Sequence, residues 1–140
     1  MILMSSEYYD RRKICKLLKS LDAIPVENPA RPGTPDINYV EGWLELKRIR
    51  NWPKNLDKNL RVPSFTPQQR NRHRLRRHVK GESYVLLHVS NDWVFLDGLV
   101  AANILGHASK KVLFEKSIFY SEGVFLGEKL LQYLTDRKPC

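Results

Sequence analysis

Asp36, Glu45 and Lys47 have the residue types and the spacing to do chemistry together. Residues 36–40 and 43–49 read as two strands around a Glu41-Gly42 turn. In that hairpin Asp36 faces Lys47 and Asn38 faces Glu45. Side-chain alternation then gathers Asp36, Asn38, Glu45 and Lys47 on one side and leaves Ile37, Tyr39, Leu44 and Leu46 for the core. Two carboxylates held close on rigid strands repel each other, and a divalent cation with oxygen ligands, Mg²⁺ inside a cell, relieves that repulsion. A lysine beside them can hold or deprotonate a water, or offset charge on a phosphate. Metal, water and cation are the needs of phosphodiester hydrolysis.

The elements that must position these residues are legible in outline. Residues 5–21 read as a helix, with Ser5 or Ser6 as N-cap and Ile14, Leu17, Leu18 and Leu21 at helical spacing. Glu7 lies seven residues before Ile14, so it points toward whatever the helix packs on, with Asp10 close to the same line. The breakers in residues 28–35 deliver the chain as a loop into the first strand. Residues 51–65 read as a long basic loop. Thr66 is expected to cap a helix running from Pro67 to about Val79 and stopped by Gly81. Strands follow over 83–90 and 93–96, joined by Asn91-Asp92. A short helix over 99–105, a strand or two between 112 and 124, and a last helix over 126–134 complete a single 1–140 domain. This order predicts an α/β sheet flanked by helices.

The run Gly33-Thr34-Pro35-Asp36, then Glu45-Leu46-Lys47, then Thr66-Pro67-Gln68-Gln69 at a helix start resembles the PD-(D/E)XK nuclease superfamily. Each element is common alone. Jointly they are more specific, because the chain holds one Pro-Asp and one Glu-x-Lys and the hairpin parity aligns them. Within the superfamily the chain is most similar to the virus-type replication-repair nucleases (VRR-NUC) and to phage-type Holliday-junction resolvases, over roughly residues 5–96. The resemblance implies a restriction-endonuclease-like core with a mixed central sheet. It implies Mg²⁺ or Mn²⁺ as cofactor, Asp36 and Glu45 as ligands with Glu7 beside them, and Lys47 positioning the attacking water. Gln69, or its neighbour Gln68, would orient the site. The implied activity is a metal-dependent endodeoxyribonuclease, and the phage-type members admit a phage-encoded protein acting in its host.

Charge points the same way. The net charge is +9, and between Lys58 and Lys80 there are eight basic residues and no acidic one. Such a patch attracts polyanions, DNA first among them. Arg70, Arg72, Arg74, Arg76, Arg77 and Lys80 on or beside the second helix, with Lys54, Lys58 and Arg61 in the loop, are the expected contacts to the DNA backbone. For about half of these arginines individually, a solvated outer face is the expected reading instead. Leu75 and Val79 are that helix's apolar contacts, and His73 and His78 read as part of its basic surface. His88 reads as a strand residue. Trp52 could stack on a splayed base or cover a sheet edge.

Cys15 and Cys140 show no metal-ligand spacing, which fits a reducing compartment. No apolar run approaches the ~18 residues of a membrane span, so a cytoplasmic protein without membrane contact is expected. Branched or distorted duplex is the expected substrate, because little surface is left for long sequence readout. A restriction-type, sequence-specific nuclease and a DNA-binding accessory protein that keeps the fold without cutting are the alternatives. Cutting two strands of a junction calls for a twofold dimer, for which Phe119, Tyr120, Val124 and Phe125 could supply an apolar contact or instead be core.

Overall fold

The apolar run Tyr84-Val85-Leu86-Leu87 is buried on both faces and lies in the middle of the sheet, as a strand with helices on either side must. The structure, a computed structural model, describes residues 6–19, 24–25, 37–39 and 42–136, and within these the side chains of 6–8, 24–25 and 38 are excepted. Helix α1 (Ser6–Leu17) precedes β1 (Ile24–Pro25), β2 (Ile37–Tyr39) and β3 (Gly42–Ile49). Helix α2 (Pro67–His78) leads into β4 (Glu82–Val89), β5 (Asp92–Asp97) and α3 (Gly98–Ile104), followed by α4 (Lys110–Lys116), β6 (Phe119–Ser121) and α5 (Gly127–Asp136). The strands form one mixed sheet in chain order, in which β3 and β4 are parallel and the other neighbours antiparallel. The protein is thus an α/β protein, its five described helices packed about a mixed sheet.

Strand alternation sorts the core into two layers. On one face Ile37, Tyr39, Leu44, Leu46, Tyr84, Leu86 and Phe95 pack with Ile14 and Leu18 of the α1 segment and Leu130 and Leu134 of α5. On the other, Val85, Leu87, Val89, Val94 and Leu96 pack with Ala101 and Leu105 at α3, Leu113 of α4, and Leu60, Val62 and Phe65 from the segment before α2. The expected inward set of the hairpin, Ile37, Tyr39, Leu44 and Leu46, lies on the first of these faces.

The hairpin register differs from expectation by two residues. Ile37 pairs with Leu44, Asn38 with Trp43 and Tyr39 with Gly42, so Asn38 does not face Glu45. Gly42, expected in the turn, instead begins β3 and pairs with Tyr39. A Cβ at Gly42 would lie 2.4 Å from the Glu82 carbonyl oxygen, so a glycine is needed where β3 first meets β4. Asp36 and its expected pairing with Lys47 lie outside the described residues, as does the side chain of Glu7.

Three further boundaries move. Asp92 pairs with Val89 in β5, so the connecting residues are Ser90, at φ 55°, and Asn91. The segment expected as a strand or two between 112 and 124 begins as helix α4, because Ser109 accepts a hydrogen bond from the Val112 amide as an N-cap and Leu113 enters the core. Only Phe119–Ser121 is strand. At the end of α2 the left-handed residue is Lys80, at φ 62°, and the Gly81 amide donates back to the Arg76 carbonyl at 2.8 Å.

Candidate active site

Helix α2 begins where the sequence places it. The Thr66 hydroxyl accepts from the Gln69 amide at 3.2 Å, the Gln69 carboxamide oxygen accepts from the Thr66 amide at 3.0 Å, and Pro67 occupies the first helical position. Gln69, expected to orient the site, is thus occupied as half of a capping box. That box fixes where the helix begins. Leu75 and Val79, expected as its apolar contacts, are 51% and 70% exposed, and the residue turned inward is His73.

His73 meets the two charged residues of β3. Glu45 and Lys47 share the strand face toward α2 and are 0% and 4% exposed. Their parallel neighbours on β4 are Val85 and Leu87. The Lys47 ammonium donates to the Ser64 carbonyl at 2.9 Å, which ties the segment before α2 across the site. His73 Nε2 lies 4.0 Å from Glu45 Oε1, and its Nδ1 is hydrogen-bonded to Ser83 Oγ. The Phe65 ring stands 5.8 Å from the imidazole. Burial, with the Lys47 charge second, lowers the His73 pKa from 6.5 to about 4, so the ring is neutral near pH 7.

Gly98, the first residue of α3, completes the arrangement. A Cβ there would lie 2.7 Å from His73 Nδ1, Ser83 O and Ser83 Oγ alike, so His73 and Ser83 can meet only beneath a glycine. Ser, His and Glu together have the residue types of an acyl-transfer triad. The same crowding leaves no room at Ser83 for a substrate carbonyl, and the triad chemistry does not fit.

Of the expected core, Glu45 and Lys47 are brought together. Sequence reasoning assigned His73 to the basic surface and so missed it. Its signal was its place one turn after Gln69 on a helix with no continuous apolar stripe, where some polar side chain had to face inward. Among the described residues no group of three or more His, Cys, Asp or Glu could hold a metal ion. The Glu45 carboxylate is nevertheless of the oxygen-donor type that Mg²⁺ and Mn²⁺ take, and the buried His73 Nε2 has no hydrogen-bond partner. Two donors of types that a divalent cation takes therefore lie together among the described residues.

The arginines of α2, expected to contact the DNA backbone, also contact protein. Arg70 donates to the carbonyls of Ala102 and Leu105 and lies over the Phe65 ring, and Arg74 also reaches the Ala102 carbonyl. Arg77 pairs with Asp97 at 2.6 Å, while Arg72 and Arg76 lie over Trp43. Three of the five therefore tie α2 to α3 and its N-cap, supplying the contact that an apolar stripe would otherwise make. Lys54, Lys58, Arg61 and Lys80 are exposed. Trp52 donates to Asp92 at 2.8 Å and meets Phe114 edge-on, so it covers the sheet rather than standing clear of it. Phe119 and Phe125 pack against the core, while Tyr120 and Val124 are 46% and 55% exposed.

Comparison of the chain with protein-family models and with curated proteins finds no match. No helix among the described residues is long and apolar enough to cross a membrane.

Proposed function

We propose that this protein is a metal-dependent endodeoxyribonuclease of the PD-(D/E)XK type, with a restriction-endonuclease-like core, acting on branched or distorted DNA. One observation carries the reading: a carboxylate and an ammonium group, Glu45 and Lys47, lie buried two residues apart on one face of an interior strand. Burying two charges costs several kcal/mol per ion before compensation. Apolar residues would fill the same space without that cost, so a chemical use is the better explanation.

In this reading Glu45 and Asp36 hold Mg²⁺ or Mn²⁺, with Glu7 beside them. The bound ion would polarise a phosphoryl oxygen and supply a nucleophile near neutral pH. Lys47 exchanges the Ser64 carbonyl for the attacking water or a phosphate oxygen, which its unbranched stem permits. The apolar side chains of Leu60, Val62 and Phe65 exclude water around it.

The closure of the site favours a second reading, a DNA-binding protein that does not cut, since Glu45 is fully covered and Lys47 is already bonded to a carbonyl. Labelled four-way junction and linear duplex, incubated with Mg²⁺ or chelator beside a Lys47→Ala variant, separate the two. Metal-dependent cutting that the variant loses is the expected result, and junction over duplex gives the substrate class. Binding without cutting by any preparation would leave the second reading standing.

DNA contact falls in this reading to the exposed loop cations rather than to the arginines of α2. Arg61→Ala is expected to leave stability unchanged and to reduce the salt dependence of DNA binding by about one ion. Arg70→Ala is expected to cost about 2 kcal/mol in urea unfolding, through the loss of its carbonyl bonds to α3, with no change in that salt slope. The opposite pattern would return the arginines to the DNA.

A further inference from the structure

His73 is 1% exposed, and its Nε2 has no hydrogen-bond partner. A buried polar atom left unsatisfied forfeits its hydration with nothing in return, so the ring's placement calls for a use. The fold constrains it from several sides. The Thr66–Gln69 capping box fixes the start of α2, Phe65 stands beside the ring, and the absence of a Cβ at Gly98 makes room for the bond between Nδ1 and Ser83. Nε2 is thereby aimed at Glu45 Oε1, 4.0 Å away. That separation is too long for a hydrogen bond. It is within reach of two donors sharing one ion, since ligands about 2.1 Å from a common ion stand up to about 4.2 Å apart. An imidazole with one nitrogen fixed by an outer hydroxyl and the other directed beside a carboxylate has the arrangement of a metal-ligating histidine, whose outer partner sets tautomer and ring orientation.

We propose that His73 Nε2 is a ligand of a divalent cation that Glu45 shares, making the centre a mixed nitrogen and oxygen site that takes a first-row transition ion such as Mn²⁺ in preference to Mg²⁺. This deepens, and rests on, the reading of Glu45 as a metal ligand. Neutral nitrogen donors raise affinity along the transition series and do little for Mg²⁺, which takes oxygen and keeps its waters. The tautomer this site requires is the one that donates the Nδ1 hydrogen to the Ser83 hydroxyl and leaves the Nε2 lone pair for the ion.

The test is electron paramagnetic resonance of Mn²⁺ added to the full chain, with no turnover required. Pulsed spectra of the wild type should show a ¹⁴N coupling that is replaced by ¹⁵N when the protein carries ¹⁵N-histidine. His73→Gln should abolish the coupling and weaken Mn²⁺ binding by at least about tenfold, with a smaller loss for Mg²⁺ in competition. Should that variant fail to fold, Mn²⁺ broadening of the imidazole signals of His73, against those of His78, His88 and His107 in labelled wild type, decides the same point. Tight Mn²⁺ binding with no nitrogen coupling, or a coupling that survives in His73→Gln, would overturn the assignment of His73 and leave the nuclease reading intact. Failure of the wild type to bind Mn²⁺ or Mg²⁺ at all would overturn both.

Discussion

Replacing Glu45 with glutamine is expected to reduce DNA cutting by about 10³-fold or more while leaving the protein as stable as before, or more stable by about 1–2 kcal/mol. The two effects come from one cause. Glu45 is 0% exposed, with the apolar Val85 beside it on β4, so its carboxylate is desolvated in the folded chain. Glutamine keeps the shape and removes the charge. It relieves the desolvation and takes away the oxygen charge that a cation needs, the trade between stability and activity that buried functional groups commonly show. Junction cleavage with Mn²⁺ and thermal melting by circular dichroism, on the same preparations, give both numbers. A fall in stability of about 3 kcal/mol or more, the usual result of breaking a buried ion pair, would make Glu45 a structural charge and remove the main support for the nuclease.

Acidification from pH 6.5 to about 4 is expected to cost roughly 3 kcal/mol of stability through His73 alone, since each pKa unit is worth about 1.4 kcal/mol. The direction follows from where the proton goes. In the unfolded chain the imidazole titrates near 6.5, whereas burial and the Lys47 charge hold it near 4 in the native protein. Between those values the unfolded state binds a proton that the native state refuses. The stabilisation is therefore fully present above pH 6.5 and is lost as pH falls toward 4. Urea unfolding of the wild type and of His73→Gln at pH 7, 5.5 and 4.5 isolates the effect of this one group. The wild type should lose more stability than the variant, by roughly that amount. Parallel curves would show that His73 is accessible to protons in the native state.

The sequence by itself determined the elements whose signals are local. Alternation in residues 43–49 and the apolar run 84–87 made β3 and β4 strands, and the alternation assigned Ile37, Tyr39, Leu44 and Leu46 to the core, because a period of two gives such a strand one buried set. Thr66, Pro67 and Gln69 wrote the start of α2 in three residues, since a cap needs nothing beyond its own turn. The pairing of Glu45 with Lys47 on one face was legible for the same reason. Register, helix azimuth and side-chain partners were left to the tertiary structure, because each depends on a surface distant in sequence. Gly42 reads as a turn glycine until β4 arrives against it. Ser109 and Leu113 make a helix of a segment whose apolar spacing also suits a strand, because the cap and the core both receive them. The arginines of α2 look like a phosphate comb until α3 presents its carbonyls and Asp97. His73 is one basic-helix residue among many until Glu45, Ser83 and Gly98, up to 28 positions away in the chain, close around it.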